Sequence, residues 1–343
     1  MTEKTIEVPD RLTLVSHVER LGLDRLDLSG FTQCNLRFSN CSFGEPLPML
    51  LLAKRFSELV RRHPDVAFQL RSRESQFRGY AEHIGYFRLL GFGRGNRPGE
   101  AIGSSTYIPI ERLSISEMIE RAGNQPIGRA VSGLARRLST LLSQHTEGPL
   151  FDLFEYSFRE IIRNSLEHSC GEELILFGQY WPARDRVEIV VMDDGVGIAE
   201  NLYENEHIEC KTNADALKFA ILPGITGVPR AERVEQDERW GNSGFGLYVT
   251  SRLCSEGGLF RLLSGSGSLT LANGVRTEHP WPFGGTCVQL RFSTRDAASR
   301  IQRIEEIVTE GKQEWQAIVG EIPVAASAAS RMLASHFDHR GGY

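Results

Sequence analysis

The sequence predicts an α/β fold, with a small α/β domain over residues 1–100 and a larger one starting near residue 148. Three observations carry the prediction. Residues 1–100 alternate strand-like and helix-like stretches. The stretch from Phe154 to His168 sorts, at about 100° per residue, into two sides. Phe154, Phe158, Ile161, Ile162 and Leu166 make the apolar side, and Glu160, Asn164, Glu167 and His168 make the other. Strand-like runs then end on glycine-rich turns.

In the first domain a polar-apolar stretch from Asp27 to Phe43 precedes a helix from about Pro48 to Arg62. A strand from Val66 to Leu70 and a helical stretch from about Gln76 to Leu90 follow. Asp27-Leu28-Ser29-Gly30, the helix and strand after it, and Tyr80 to Phe87 around Gly85 loosely resemble the STAS domains of sulfate transporters and anti-anti-sigma factors. Five glycines between Gly91 and Gly103 make a flexible join. Residues 101–147 read as a helical connector that opens on a short strand, Ser104 to Ile110. Ile115, Met118, Ile119, Ile127, Val131, Leu134, Leu138 and Leu141 then recur at helical spacing, with Pro126 breaking the run. These helices either pair two subunits into a homodimer or pack onto the core of their own chain.

In the larger domain, residues 148–300, the Glu160 helix is followed by a hairpin of Glu173 to Tyr180 and Arg186 to Met192. About forty residues separate Ile198 from Gly241, with one helix from Ala214 to Leu222 and the breakers Pro223, Gly224, Gly227 and Pro229. Connections this long serve as lids or disordered inserts. A helix from Gly244 to Cys254 and strands at Leu259 to Leu263 and Cys287 to Phe292 complete the domain. Residues 301–343 add a closing helix, Ile301 to Ile318, and an Ala/Ser-rich tail expected to be poorly ordered.

Three glycine segments follow the Glu160 helix. Asp193-Asp194-Gly195-Val196-Gly197 ends the apolar run Val187 to Val191, Gly241-Asn242-Ser243-Gly244-Phe245-Gly246-Leu247 opens the next helix, and Gly284-Gly285-Thr286 opens the run from Cys287. In this order the set resembles the GHKL superfamily of DNA gyrase, heat-shock chaperone ATPases, histidine kinases and MutL mismatch-repair proteins, over about residues 148–295. Glu160, Asn164 and Glu167 match its first motif, Asp193, Gly195 and Gly197 its second, and Gly241 to Leu247 its third. Gly285-Thr286 matches the last strand of its nucleotide pocket. The resemblance implies a Bergerat-type fold, a two-layer sandwich of a mixed sheet with helices on one face, and ATP and Mg²⁺ as cofactors.

The residues suit that chemistry. A carboxylate only accepts hydrogen bonds, so Asp193 fits the amino group of adenine and repels the carbonyl of guanine. Gly195 and Gly197 let the backbone approach, and Thr286 can share a bridging water with the ring. Gly241, Gly244 and Gly246 leave a loop of unobstructed N–H groups at the start of the Phe245 helix, a phosphate cradle with no Walker lysine that also takes in Ser243, Phe245 and Leu247. Asn164 offers an amide oxygen to Mg²⁺. Glu160, one turn earlier, can take a proton from a water aligned on the γ-phosphate, with Glu167 in support. In family members that hydrolyse ATP, a glutamate at this place is the general base.

The expected function is therefore Mg²⁺-dependent ATP binding with slow hydrolysis and a nucleotide-closed lid, acting as a switch or regulator with a protein partner. His168, four residues after Asn164, also resembles the Glu, Asn and His register of anti-sigma-factor serine kinases, which makes phosphotransfer to a partner serine the rival. A third alternative is an interaction module that binds ATP without turning it over. His145 to Leu150 is similar to a histidine-kinase phosphoacceptor box but lies too close to the Glu160 helix for presentation on a separate hairpin.

Composition sets the outer limits. The 343 residues are 41% hydrophobic with a formal net charge of -5, which gives no global nucleic-acid signature. Residues 1–100 carry 15 basic against 12 acidic side chains, and Arg61, Arg62, Arg71, Arg73, Arg78, Arg88, Arg94 and Arg97 form a basic stretch that is either a solvated face or a surface for an acidic partner or a nucleic acid. No apolar run is long enough to cross a bilayer and the first residues lack a signal-peptide pattern, so the expected location is the cytoplasm. The six cysteines show neither zinc-site pairs nor a disulfide framework.

Overall fold

The computed structural model describes residues 2–122, 127–203, 208, 210–225, 244–295 and 297–319. Gly241, Ser243, Pro126, much of the expected lid and the tail lie outside the described residues. The chain divides into two compact units, one of residues 1–104 with 108–112 and 177–179, the other of the remainder.

The first unit is built on three parallel strands in the order β1 (Glu3–Glu7), β3 (Gln33–Arg37) and β5 (Ala67–Arg71). A two-stranded pair, β2 (Arg11–Leu12) with β4 (Phe43–Gly44), accompanies it, and α1 (Val15–Glu19) packs on α2 (Pro46–Arg62). Proline at the first helical position suits the start of α2, whose Leu47, Leu50, Leu52 and Phe56 are buried. The sequence reads one helix from Gln76 to Leu90. The structure breaks it into α3 (Gln76–His83) and α4 (Tyr86–Leu89), because Gly85 between them takes a left-handed φ of 85°. Phe38 meets Phe77 and Phe87 at 6.0 and 5.5 Å, and the buried Tyr86 hydroxyl donates to the Met49 carbonyl at 3.0 Å. Much of the basic stretch is engaged locally: Arg78 and Arg94 with Glu82, Arg71 with Asn35, and Arg62 with the Leu23 carbonyl.

The second unit contains helices α5 (Ile115–Ala122), α6 (Ile127–Ser143) and α7 (Pro149–His168), and most of a five-stranded sheet. The strand order is β6 (Tyr107–Ser114), β7 (Glu173–Trp181), β8 (Arg186–Asp193), β10 (Val275–Ser293) and β9 (Leu259–Ala272). Strand β10 runs antiparallel to both β8 and β9. The architecture is thus mixed α/β with parallel and antiparallel sheets. Strands β9 and β10 extend far past the expected segments, joined by a tight turn in which Asn273 and Gly274 both have positive φ, as a two-residue hairpin of this type requires.

Beyond β8 come α8 (Ile198–Leu202) and α9 (Asn213–Ala220), then α10 (Gly246–Ser255), α11 (Ala297–Gln302) and α12 (Ile304–Val319). Helix α7 packs against α6, α10, α11 and β8. Its apolar side is buried as expected, and Phe154 meets Phe158 at 5.4 Å and Phe292 of β10 at 5.1 Å. Its polar side departs from the simple amphipathic picture. Glu160, Arg163 and Ser165 are buried while Glu167 is exposed, because α7 is covered from more than one direction. All six cysteines are free. Among the described residues, no helix is long and apolar enough to cross a membrane.

Candidate functional site

The end of β8 places Asp193 where a strand buried along its length gives way to a turn. Its Oδ1 accepts hydrogen bonds from the Gly195 and Thr286 N–H groups at 3.1 and 3.0 Å, and its Oδ2 accepts from the Ser165 hydroxyl of α7 at 3.1 Å. Three segments far apart in sequence thus converge on one carboxylate. Burial pushes that carboxyl above its ordinary 3.8, against the opposing pull of the Gly195, Thr286 and Ser165 hydrogen bonds. Gly285 makes the convergence possible. It has a φ of 94°, and a side chain there would strike the Asp193 carbonyl.

Ser264 of β9 ties the same region together. Its buried hydroxyl donates to the Gly285 carbonyl at 2.9 Å and accepts from the Ile198 N–H at 3.0 Å, joining the two glycine turns to the start of α8. Asp194 turns away and accepts from the Glu172 and Glu173 N–H groups at 2.9 and 3.0 Å, which anchors the turn to the start of β7.

Glu160 lies on α7 with its carboxylate against the first residue of α10. A Cβ added to Gly246 would collide with Glu160 Oε2, so glycine lets the helix start and the acid approach. Arg159 pairs with Glu160 Oε1 at 3.4 Å. Asn164 stands one turn on, half-buried, and its carboxamide has no hydrogen bond among the described residues. Glu167 bonds instead to the buried Arg163 at 2.7 Å. His168 is held below its ordinary 6.5 by burial, with Glu167 raising and Arg163 lowering it to lesser extents.

Glu160, Asn164, His168, Ser165, Asp193 and Thr286 border one cavity of about 940 Å³, open mouth included. Of the sequence-predicted residues, Glu160, Asn164, Asp193, Gly244, Gly246, Leu247 and Thr286 line it. Glu167, Gly195, Gly197 and Phe245 do not: Glu167 points to Arg163, Gly195 serves Asp193 through its N–H, Gly197 caps α8, and Phe245 is fully buried. Gly241 and Ser243 fall outside the described residues. Sequence reasoning missed Ser165, Arg163, Ile225, Leu262 and Val288 in the lining, and Ser264 behind it. Ser165 was within reach, since it sits between two predicted site residues on the same helix. Ser264 was not, because only strand register brings it opposite Thr286.

The arrangement can accept one further hydrogen bond at a buried carboxylate, offer an amide oxygen to a hard cation, and present a second carboxylate beside a helix start. Among the described residues, no group of three or more His, Cys, Asp or Glu side chains could hold a metal by itself. An amide oxygen such as that of Asn164, which lines the cavity, is a donor that a hard cation takes together with ligand oxygens. The chain matches no protein-family model and no curated protein.

Proposed function

We propose that the cavity beside Glu160 is a Mg²⁺-dependent ATP site and that the chain is a slow ATPase whose nucleotide state acts as a conformational switch. Asp193 carries the reading. A carboxylate has about four acceptor positions. Two protein N–H groups fill Oδ1 and the Ser165 hydroxyl takes one place on Oδ2, which leaves one for a donor such as the adenine amino group. That last donor offsets the desolvation that raises the Asp193 pKa. The order β6-β7-β8-β10-β9, with α7 against β8 and α10 against β9 and β10, supports a Bergerat-type sandwich around this site.

The remaining groups take roles set by their places. Asn164 holds Mg²⁺ through its amide oxygen, and the ion supplies charge neutralisation on the triphosphate when bound. Gly244 and Gly246, at the start of α10 beside Leu247, let the backbone approach the phosphates without side-chain obstruction. Glu160, steadied by Arg159, accepts the proton of the attacking water as that water's oxygen bonds to the γ-phosphorus and the bond to ADP breaks. His168, which lines the same cavity, supports the second reading, phosphotransfer to a serine of a protein partner.

Glu160→Gln tests the first reading. The variant is expected to bind Mg·ATP as the wild type does and to release phosphate about 10²- to 10⁴-fold more slowly. Wild-type release by the variant would remove Glu160 from the chemistry. An acid-stable label on an added protein, with little free phosphate, would favour the kinase.

A further inference from the structure

A second open cavity, of about 800 Å³ with its mouth, lies where the β7–β8 turn meets the end of β10 and the start of β9. Arg184, Arg186, Arg291 and Arg295 line it, with Asp185 and Gly257. Along the β8–β10 ladder, Arg186 pairs with Ser293 at this end and Met192 pairs with Cys287 at the other, beside Asp193 and Thr286. At about 3.3 Å per residue, the two cavities stand roughly 20 Å apart at opposite ends of the same strands.

The charges here do not cancel. Asp185 takes Arg295 at 2.5 Å, and the fully buried Glu188 takes Arg291 at 2.8 Å. Arg186 lies over the Trp181 ring at 4.0 Å. Arg184 is exposed and has no hydrogen bond or ion pair among the described residues. The buried Arg300 donates to the Ser293 carbonyl at 3.1 Å and flanks Gly257, while the neighbouring Glu256 is occupied by Arg303. Guanidinium groups from two separate chain segments therefore converge on one concavity with positive charge in excess. Arginine binds phosphate oxygens through two parallel N–H groups, which a lysine cannot do.

We propose that this cavity binds a compact polyphosphate anion, a di- or triphosphate group, at a site separate from the Glu160 cavity. Convergence favours a compact ligand, since a nucleic-acid backbone calls for cations spread along a ridge. The anion exchanges the exposed Arg295–Asp185 pair, worth little in water, for charge-assisted contacts to phosphate. Arg184, at the rim, supplies a cation that has no competing carboxylate.

Calorimetric titration of the full chain with tripolyphosphate at low ionic strength tests the site. Without Mg²⁺, so that Asn164 has no cation to hold, saturable binding is expected, weakened about tenfold or more by Arg184→Gln and by Arg295→Gln, weakened by added salt, and retained in Asn164→Ala in the other cavity. Both arginines are at the surface, so the variants keep the fold, and far-UV circular dichroism checks this. A change in tryptophan emission that Trp181→Phe removes, since Trp181 lies under Arg186, gives a second readout, expected in the wild type and not in the double arginine variant. Loss of binding in Asn164→Ala with the arginine variants unaffected would place the anion in the first cavity and overturn the proposal. Absence of saturable binding would overturn it too, as would arginine-dependent binding of a single-stranded oligonucleotide that is tighter than that of tripolyphosphate.

Discussion

Replacing Asp193 by asparagine changes one oxygen for an amide nitrogen in a side chain that is 5% exposed, and the structure separates its effects on binding and on stability. The asparagine oxygen can still accept from the Gly195 and Thr286 N–H groups, which hold Oδ1 in the wild type. The new NH₂ then points where Oδ2 was, toward Ser165 and the cavity. Ser165 can reverse its hydroxyl and accept, but an adenine amino group cannot, so donor faces donor. Losing a hydrogen bond to a charged group costs about 1.5–3 kcal/mol, or roughly 10- to 150-fold in affinity. Stability moves differently. The folded pKa of Asp193 lies above its ordinary 3.8, so its favourable contribution is complete below that value and is lost as pH rises through the folded pKa. At neutral pH the buried carboxylate is a net cost that the neutral amide lacks. The variant should therefore melt at or above the wild-type temperature while binding ATP at least tenfold more weakly, as calorimetry reads it. Unchanged affinity in a folded variant would refute the assignment of the adenine position.

Three further outcomes follow from the same contacts. Gly246→Ala should change stability by no more than about 1 kcal/mol in chemical denaturation, yet abolish phosphate release, because the added methyl displaces the Glu160 carboxylate. His168 is held neutral by burial, so its stabilisation is present above 6.5 and lost as pH falls toward its depressed folded value; His168→Gln should flatten that part of the stability profile in denaturant titrations. Trp315→Ala should cost about 3–5 kcal/mol and weaken nucleotide binding as well. The Trp315 ring lies against Gly224 and shares a core with Ile225, which lines the Glu160 cavity. A melting curve matching the wild type would show that α12 does not support this wall.

Local patterning makes most of the elements and the order of the chemical groups legible. Helical spacing marks α7, an apolar run ending on Asp193 marks β8, and glycines mark the turns, because each depends on residues within a turn or two along the chain. Glu160 and Asn164 were legible for that reason, as was Gly246 at a helix start. The Asn273-Gly274 turn was equally local, and reading it would have shown how far β9 and β10 extend. What these groups touch is set by contacts between distant segments. Ser264 reaches Gly285 through a ladder register, Glu167 faces Arg163 and stands outside the cavity lining, and Trp315 closes on Gly224 across about ninety residues. Arg184 and Arg186 meet Arg291 and Arg295 only because β8 and β10 pair antiparallel with Arg186 opposite Ser293. Periodicity records which side of an element a residue takes; the partner on that side is set by burial and strand register between segments that the chain holds far apart.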